Sequence, residues 1–256
     1  MSNNRFDVTD RVIIITGAGQ GLGREYALAL AADGAIPVLA DINGENAKKV
    51  AGEIEAAGGQ ALAVETDVTD AASVDAMVAS TLDSHGRIDV LINNAAIFAT
   101  LPQRPFDEIP VDEWEQVIRV NITGSYLCAR AVAPSMRAAN QGRIINISSG
   151  TVPQGVPGFM HYVTSKSAII GMTRVLAREL SDHNINVNTL MPGYTTTEVE
   201  HASMDDDLHQ FIQGKRLVKR PGVPDDLIGA VIFLSSPASS FISGQTLAVC
   251  GGEVMI

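Results

Sequence analysis

Tyr162 and Lys166 stand four residues apart in the stretch HYVTSK, where a helix start would put both side chains on one face. A phenol with an ordinary pKa of about 10 is a poor base near neutrality, and an adjacent ammonium favours the phenolate and lowers that value. Such a pair could exchange a proton with an alcohol or carbonyl oxygen, although the same spacing also describes two solvated surface side chains. Thirteen residues upstream of Tyr162 the apolar run RIINIS ends in Ser148-Ser149. Ser149, the better candidate of the two, could hydrogen-bond the reacting oxygen without any His or Asp partner, or could be a turn residue. Nothing here is arranged as a nucleophile.

A second constellation is IIITGAGQGLGRE, residues 13 to 25, with glycines at 17, 19, 21 and 23. A Walker loop would end in Gly-Lys-Ser/Thr, and G-x-G-x-x-G fails in every frame. A strand ending at Thr16, a glycine turn and a helix start would still aim backbone N–H groups and a positive helix end at one spot suited to a pyrophosphate. A bare tight turn would use the same residues. Twenty residues after Gly21, a second apolar run ends in Asp41-Ile42. The Asp41 carboxylate stands where a dinucleotide fold binds the adenosine ribose hydroxyls, and it would repel a 2′-phosphate; capping the next turn is the alternative.

The elements that must position these groups alternate. Runs at 12–16, 35–40, 61–66, 88–92, 143–148, 185–190 and 246–249 read as buried strands. Helical periodicity covers 22–32, 45–57, 71–84, 112–139, 161–181 and 224–236. The alternation predicts one α/β domain over residues 1–256, a doubly wound, Rossmann-type parallel sheet of about seven strands with helices on both faces. Pro37 sits awkwardly inside the second strand, where it removes a ladder donor. Polar residues recur at the carboxyl ends of strands (Asp67-Val68, Asn93-Asn94-Ala95), which is where open α/β sheets bind ligands. The stretch 194–220 lacks clear periodicity and reads as a substrate lid or as a plain surface connection.

Composition narrows the partners. With 256 residues, 46% of them hydrophobic, the chain can bury a large core. Its formal charge of −11 disfavours nucleic acid and anionic membranes. Cys128 and Cys250 have neither disulfide nor zinc spacing, so no metal is expected. The polar start and the lack of any apolar run of roughly 20 residues imply a soluble, cytoplasmic protein. The glycosylation-like triplets at Asn121 and Asn146 are then chance matches.

Taken together, these residues resemble the short-chain dehydrogenase/reductase family, in its NAD-preferring branch. The family fingerprint T-G-x-x-x-G-x-G is met by Thr16-Gly17, Gly21 and Gly23, and the likeness spans nearly the whole chain. It implies Asn121, Ser149, Tyr162 and Lys166 as the active centre. In it Tyr162 is the general acid/base, Lys166 binds the nicotinamide ribose, Ser149 orients the substrate oxygen and Asn121 completes a proton relay through water. It further implies cofactor contacts from Gly17, Gln20, Gly21, Leu22 and Gly23, from Asp41, Ile42, Asp67 and Val68, and from Asn94 and Ala95. Pro192, Gly193, Thr195 and Thr197 would lie near the nicotinamide. Ala96 departs from the last glycine of N-N-A-G, and Cys250 from the acidic residue often preceding the terminal Gly-Gly. The tail SSFISGQTLAVCGGEVMI is similar to the arm that builds homotetramers in this family.

The resulting expectation is an NAD-dependent enzyme interconverting a secondary alcohol and a ketone. A ketoacyl-carrier-protein reductase is the alternative, disfavoured by Asp41, by the lack of a basic residue in GAGQGLG and by the acidic charge. A dinucleotide sensor without turnover would typically lose Tyr162 or Lys166. An enoyl reductase would space them seven apart. Ile97, Phe98, Tyr194 and the segment 150–161 suggest apolar walls for a cyclic or aromatic substrate, with Gln154 and His161 as the polar handles; Lys215, Arg216, Lys219 and Arg220 could swing in from the lid.

Overall fold

The computed structural model describes residues 4–200, 202 and 206–256. Seven parallel strands form one sheet in the order β3-β2-β1-β4-β5-β6-β7. They are β1 (Val12–Thr16), β2 (Ile36–Asp41), β3 (Leu62–Glu65), β4 (Val90–Asn93), β5 (Gly142–Ile147), β6 (Ile185–Pro192) and β7 (Thr246–Val249). The continuous apolar runs read from the sequence are strands buried on both faces. Ile13 and Ile15 of β1 pack into one layer with Tyr26, Leu30, Ile54 and Val231. Val12 and Ile14 point the other way, among Met77, Val132, Met136 and Leu180, as the two-residue repeat of a strand requires. Helices α1 (Gly21–Ala32), α2 (Gly44–Ala56) and α9 (Asp225–Ser235) cover the first face. Helices α3 (Ala71–His85), α5 (Ser125–Ala139) and α7 (Met160–Glu179) cover the second.

Pro37 does sit in an interior strand, in register with Ile13 of β1, and β2 still pairs along its length with both neighbours. The strand survives one lost donor because five residues pair with β1 and four with β3. The long helix expected over 112–139 is broken. Helix α4 (Val111–Ile118) passes into a π-helical segment, Arg119–Gly124, before α5 resumes. Gly124 is where the chain crowds Val68, whose Cγ2 would lie 2.7 Å from an added Cβ. Within the aperiodic stretch 194–220, α8 (Asp206–Lys215) forms a helix of its own, so that stretch is not wholly irregular. A single turn, α6 (Thr151–Gln154), follows β5.

A buried polar chain fixes α7 to the sheet. Asn93 on β4 donates to Asn146 on β5 (2.8 Å), Asn146 donates to Thr173 on α7 (2.8 Å), and Thr189 on β6 donates to the same hydroxyl (2.8 Å). The strand order reverses between β1 and β4, and the carboxyl ends of these strands open into the cleft described next.

Candidate active site

The cleft holds about 810 Å3 and runs from the glycine turn to the lid. Thr16 ends β1 with its hydroxyl accepting the N–H groups of Asn94 and Ala95, both at 3.0 Å. Asn94 in turn donates to the carbonyls of Thr16 and Gly17. The turn is thereby tied to the end of β4. Gly17 has φ +65° and Gly21 φ +56°, conformations that L side chains rarely adopt. Gly23 lies outside the cleft wall and serves packing: a Cβ there would fall 2.1 Å from the Gly17 carbonyl oxygen. Gly17, Gln20, Gly21 and Leu22 all border the cleft.

Asp41, at the end of β2, borders it too, with Ile42 exposed beside it. One Asp41 oxygen accepts the Gly19 N–H (2.8 Å) and the other the Asn43 N–H (2.8 Å). The carboxylate fixes the turn, as the capping alternative had it, and also faces the cleft with lone pairs to spare. Asp67 uses one oxygen for the N–H and hydroxyl of Thr69. Asp67, Val68, Asn94 and Ala95 line the cleft, as do Pro192, Gly193, Thr195 and Thr197 on the lid side.

Tyr162 and Lys166 rise from the first turns of α7 and Ser149 follows β5, so all three meet in the cleft. Lys166 Nζ donates to the Ile147 carbonyl (2.8 Å) and lies 5.8 Å from the Tyr162 ring centroid. Both side chains are almost wholly buried. Burial pushes the Tyr162 phenol up, to about 12, while a hydrogen bond with Ser149 acts in the opposite sense. Burial pushes Lys166 down, to about 8. The phenol therefore stands above its ordinary value instead of below it, because loss of water around it outweighs the hydrogen bond with Ser149.

Asn121 is placed differently from its three partners. It lies in the π-helical segment, buried behind the cleft, accepting the Ile97 N–H (2.8 Å) and donating to Ser165 (3.0 Å). Ser165 donates to the Tyr162 carbonyl (2.7 Å), so Asn121 reaches the catalytic helix through one hydroxyl. A buried Asn121, like the fully buried Asn146, is no glycosylation acceptor. Both cysteines are free and buried, and no cluster of metal-ligating side chains occurs among the described residues.

The end of the cleft beside Tyr162 is walled by apolar groups. Phe98 stacks on Tyr162 with centroids 4.2 Å apart, and Phe159 packs on Phe98 at 5.6 Å. His161 is not a polar handle in this cleft: it is fully buried, with Nε2 3.3 Å from Glu113. Gln154 does line it, donating to Glu253 (3.1 Å). Arg216 is buried against Glu253 and the Tyr194 carbonyl, Arg220 pairs with Asp226, and Lys219 donates to the Gly214 carbonyl. Lys215 alone of the four lid cations borders the cleft, its ammonium 4.1 Å from the Phe211 centroid.

Two carboxylates escaped the reading of the sequence. Glu253 joins the tail to Gln154 and Arg216. Glu198, on the lid, accepts the Gly21 N–H at 2.8 Å, the donor that opens α1. One lies inside the aperiodic stretch and the other beyond the last strand, where no pattern would single either out.

The model of the short chain dehydrogenase family matches residues 11–208. A 3-oxoacyl-[acyl-carrier-protein] reductase of Synechocystis is 39% identical, over 97% of this chain and 98% of that protein. A gluconate 5-dehydrogenase of Burkholderia cenocepacia, solved with NADP and tartrate, superimposes with a TM-score of 0.92 at 35% identity, covering 98% of this chain and 97% of the other. A 7α-hydroxysteroid dehydrogenase, solved with NADH and 7-oxo glycochenodeoxycholic acid, does so with 0.93 at 32% identity, over 100% of this chain and 99% of that one. The chain belongs to the short-chain dehydrogenase/reductase family and is an oxidoreductase. The glycine turn and the Asp41 carboxylate at the edge of the cleft fit a nicotinamide dinucleotide.

Glu198 places negative charge on the helix end that a pyrophosphate would use. Glu198→Gln is therefore expected to tighten NADH binding about two- to fivefold, the worth of roughly 0.3–1 kcal/mol at a helix end. Fluorescence titration of NADH checks it; unchanged or weaker binding contradicts the competition.

Proposed function

We propose that this chain is an NAD-dependent oxidoreductase interconverting a secondary alcohol and a ketone, acting on a substrate with an apolar, cyclic or aromatic body. The observation that carries the reading is the meeting of Ser149, Tyr162 and Lys166 in one cleft with Asp41 and the glycine turn. The dinucleotide supplies or accepts the hydride. Asp41 holds the adenosine ribose, Lys166 the nicotinamide ribose, and Ser149 the substrate oxygen. Tyr162, held protonated by burial, donates its proton to a carbonyl and takes one back from an alcohol. Apolar side chains left exposed on the tail, Phe241, Leu247, Met255 and Ile256, support assembly into a homotetramer.

The preference for NAD rests on Asp41 and on the absence of any arginine from the cleft wall among the described residues. Steady-state kinetics should favour NAD over NADP by at least about tenfold, since a 2′-phosphate would meet a like charge. Asp41→Ala should shrink that ratio. Equal use of both cofactors by the wild type removes Asp41 from the account.

Tyr162→Phe deletes only the transferable proton, so turnover should drop about 10²–10⁴-fold while NADH binding stays nearly intact. The raised phenol sets the sign of the pH dependence. Below about 12 the phenol is mostly protonated, so alcohol oxidation, which needs the phenolate, should speed up as pH rises through neutrality. Ketone reduction, which needs the acid, should stay level there. A Tyr162→Phe enzyme keeping most of its rate, or oxidation that slows with rising pH, contradicts the role.

A second substrate feature has its own observation. Lys166 and Lys215 are the cations lining the cleft among the described residues, and no carboxylate among them pairs with Lys215. Carboxylate-bearing ketones are therefore favoured over neutral ones when the acid reaches the lid. Comparison of kcat/KM for 4-acetylbenzoate and 4-methylacetophenone tests this. An advantage for the acid of about tenfold, or 1.4 kcal/mol, should vanish in Lys215→Met; no advantage in the wild type restores a purely apolar pocket.

A further inference from the structure

A second cavity, of about 550 Å3, lies at the amino ends of the strands, across the sheet's length from the active-site cleft. Arg11 precedes β1, Arg143 stands at the amino end of β5, and Asn184 and Asn186 flank the start of β6. With Gln141 and Ser243 these residues give the cavity a wall rich in N–H and O–H donors, and no Asp or Glu lines it among the described residues. That is unusual on a chain with a formal charge of −11.

The arginines are what make the cavity a site. Arg143 is 7% exposed. Its Nε and the Nη1 of Arg11 are buried without a hydrogen-bond partner in the chain. The acid close to them is Asp89, and its oxygens are committed: one accepts the Val12 N–H at 2.9 Å, the other is paired with Arg87. Asp89 acts on all three guanidinium groups, with Asp7 adding to Arg11 and Asp10 to Arg87, while Arg143 has no carboxylate beside it other than Asp89. Burial and the neighbouring Arg11 cation pull Arg143 down to about 10. A buried guanidinium with unused donors beside a second cation is costly unless an anion supplies acceptors. A guanidinium pair matches the oxygens of a tetrahedral or planar oxyanion in the forked geometry that makes such bonds strong.

We propose that this cavity is a binding site for a phosphate-type oxyanion, held by Arg11 and Arg143 and distinct from the dinucleotide cleft. The anion is either free phosphate or the terminal group of a small phosphorylated metabolite. It binds while the catalytic cleft is filled, because the two cavities share no lining residue. Its occupancy raises the stability of the folded chain by neutralising the arginine pair.

The test is thermal melting of the full chain saturated with NADH, titrated with inorganic phosphate or glycerol 3-phosphate against potassium chloride at matched ionic strength. Phosphate should raise Tm beyond chloride and saturate. Arg143→Gln should weaken the apparent affinity at least about tenfold. Gln141→Glu, at an exposed position, should do the same by placing a carboxylate in the cavity, and it decides the matter if Arg143→Gln does not fold. Equal response to both probes identifies a free anion site; tighter binding of glycerol 3-phosphate identifies the metabolite end. No effect of either probe beyond chloride, or an unchanged response in the variant that folds, overturns the proposal.

Discussion

The hydrogen bond from Lys166 Nζ to the Ile147 carbonyl is the contact on which the catalytic edge depends. It gives a buried ammonium an acceptor at the last residue of β5 and sets that cation beside Tyr162. A charge enclosed this fully persists only where its donors are met, so the position of α7 over the sheet has little freedom. The chain of Asn93, Asn146, Thr173 and Thr189 secures the same helix further along, and Ser148 donates to the Lys166 carbonyl (2.8 Å). Rigid placement of Tyr162 follows from polar groups buried in an otherwise apolar layer.

The cofactor half is built by close approach. Gly17 and Gly23 let β1, α1 and the end of β4 come nearer than any side chain would permit, and Thr16 and Asn94 lock that contact. The same closeness points the Gly19 N–H at Asp41 and the Gly21 N–H at Glu198. One carboxylate belongs to the rigid turn and one to the lid. The segment after β6 therefore rests on the glycine turn, with Val199 Cγ2 3.3 Å from where a Cβ on Gly21 would be.

The strands were legible because buried parallel strands write themselves as apolar runs, and all seven fall within a few residues of where the sequence placed them. The glycine turn, Asp41 and the Ser149, Tyr162 and Lys166 group were legible for a similar reason, since each sits at a strand end or on a helix start with fixed spacing. The π-helical segment at Asn121 was not, because it keeps the apolar repeat of the helices around it and differs only in its hydrogen bonding. Nor was the raised phenol of Tyr162: spacing shows that Lys166 is near, and only packing shows that both groups have lost their water. The fates of His161 and Arg216, both drawn inward to carboxylates, depend on contacts with Glu113 and Glu253, which lie far away in sequence.

On the proposed function, burial keeps the Tyr162 phenol protonated in the resting enzyme, so that a proton is ready for a carbonyl. The chain has four tyrosines, few enough for each ring carbon bearing the hydroxyl to be followed by carbon-13 NMR, with Tyr162→Phe assigning the signal. A pH titration of the cofactor-free protein should show Tyr162 ionising well above the ordinary phenol value of about 10. Ionisation of Tyr162 at or below about 10 would contradict this and return the lowered phenolate as the resting state.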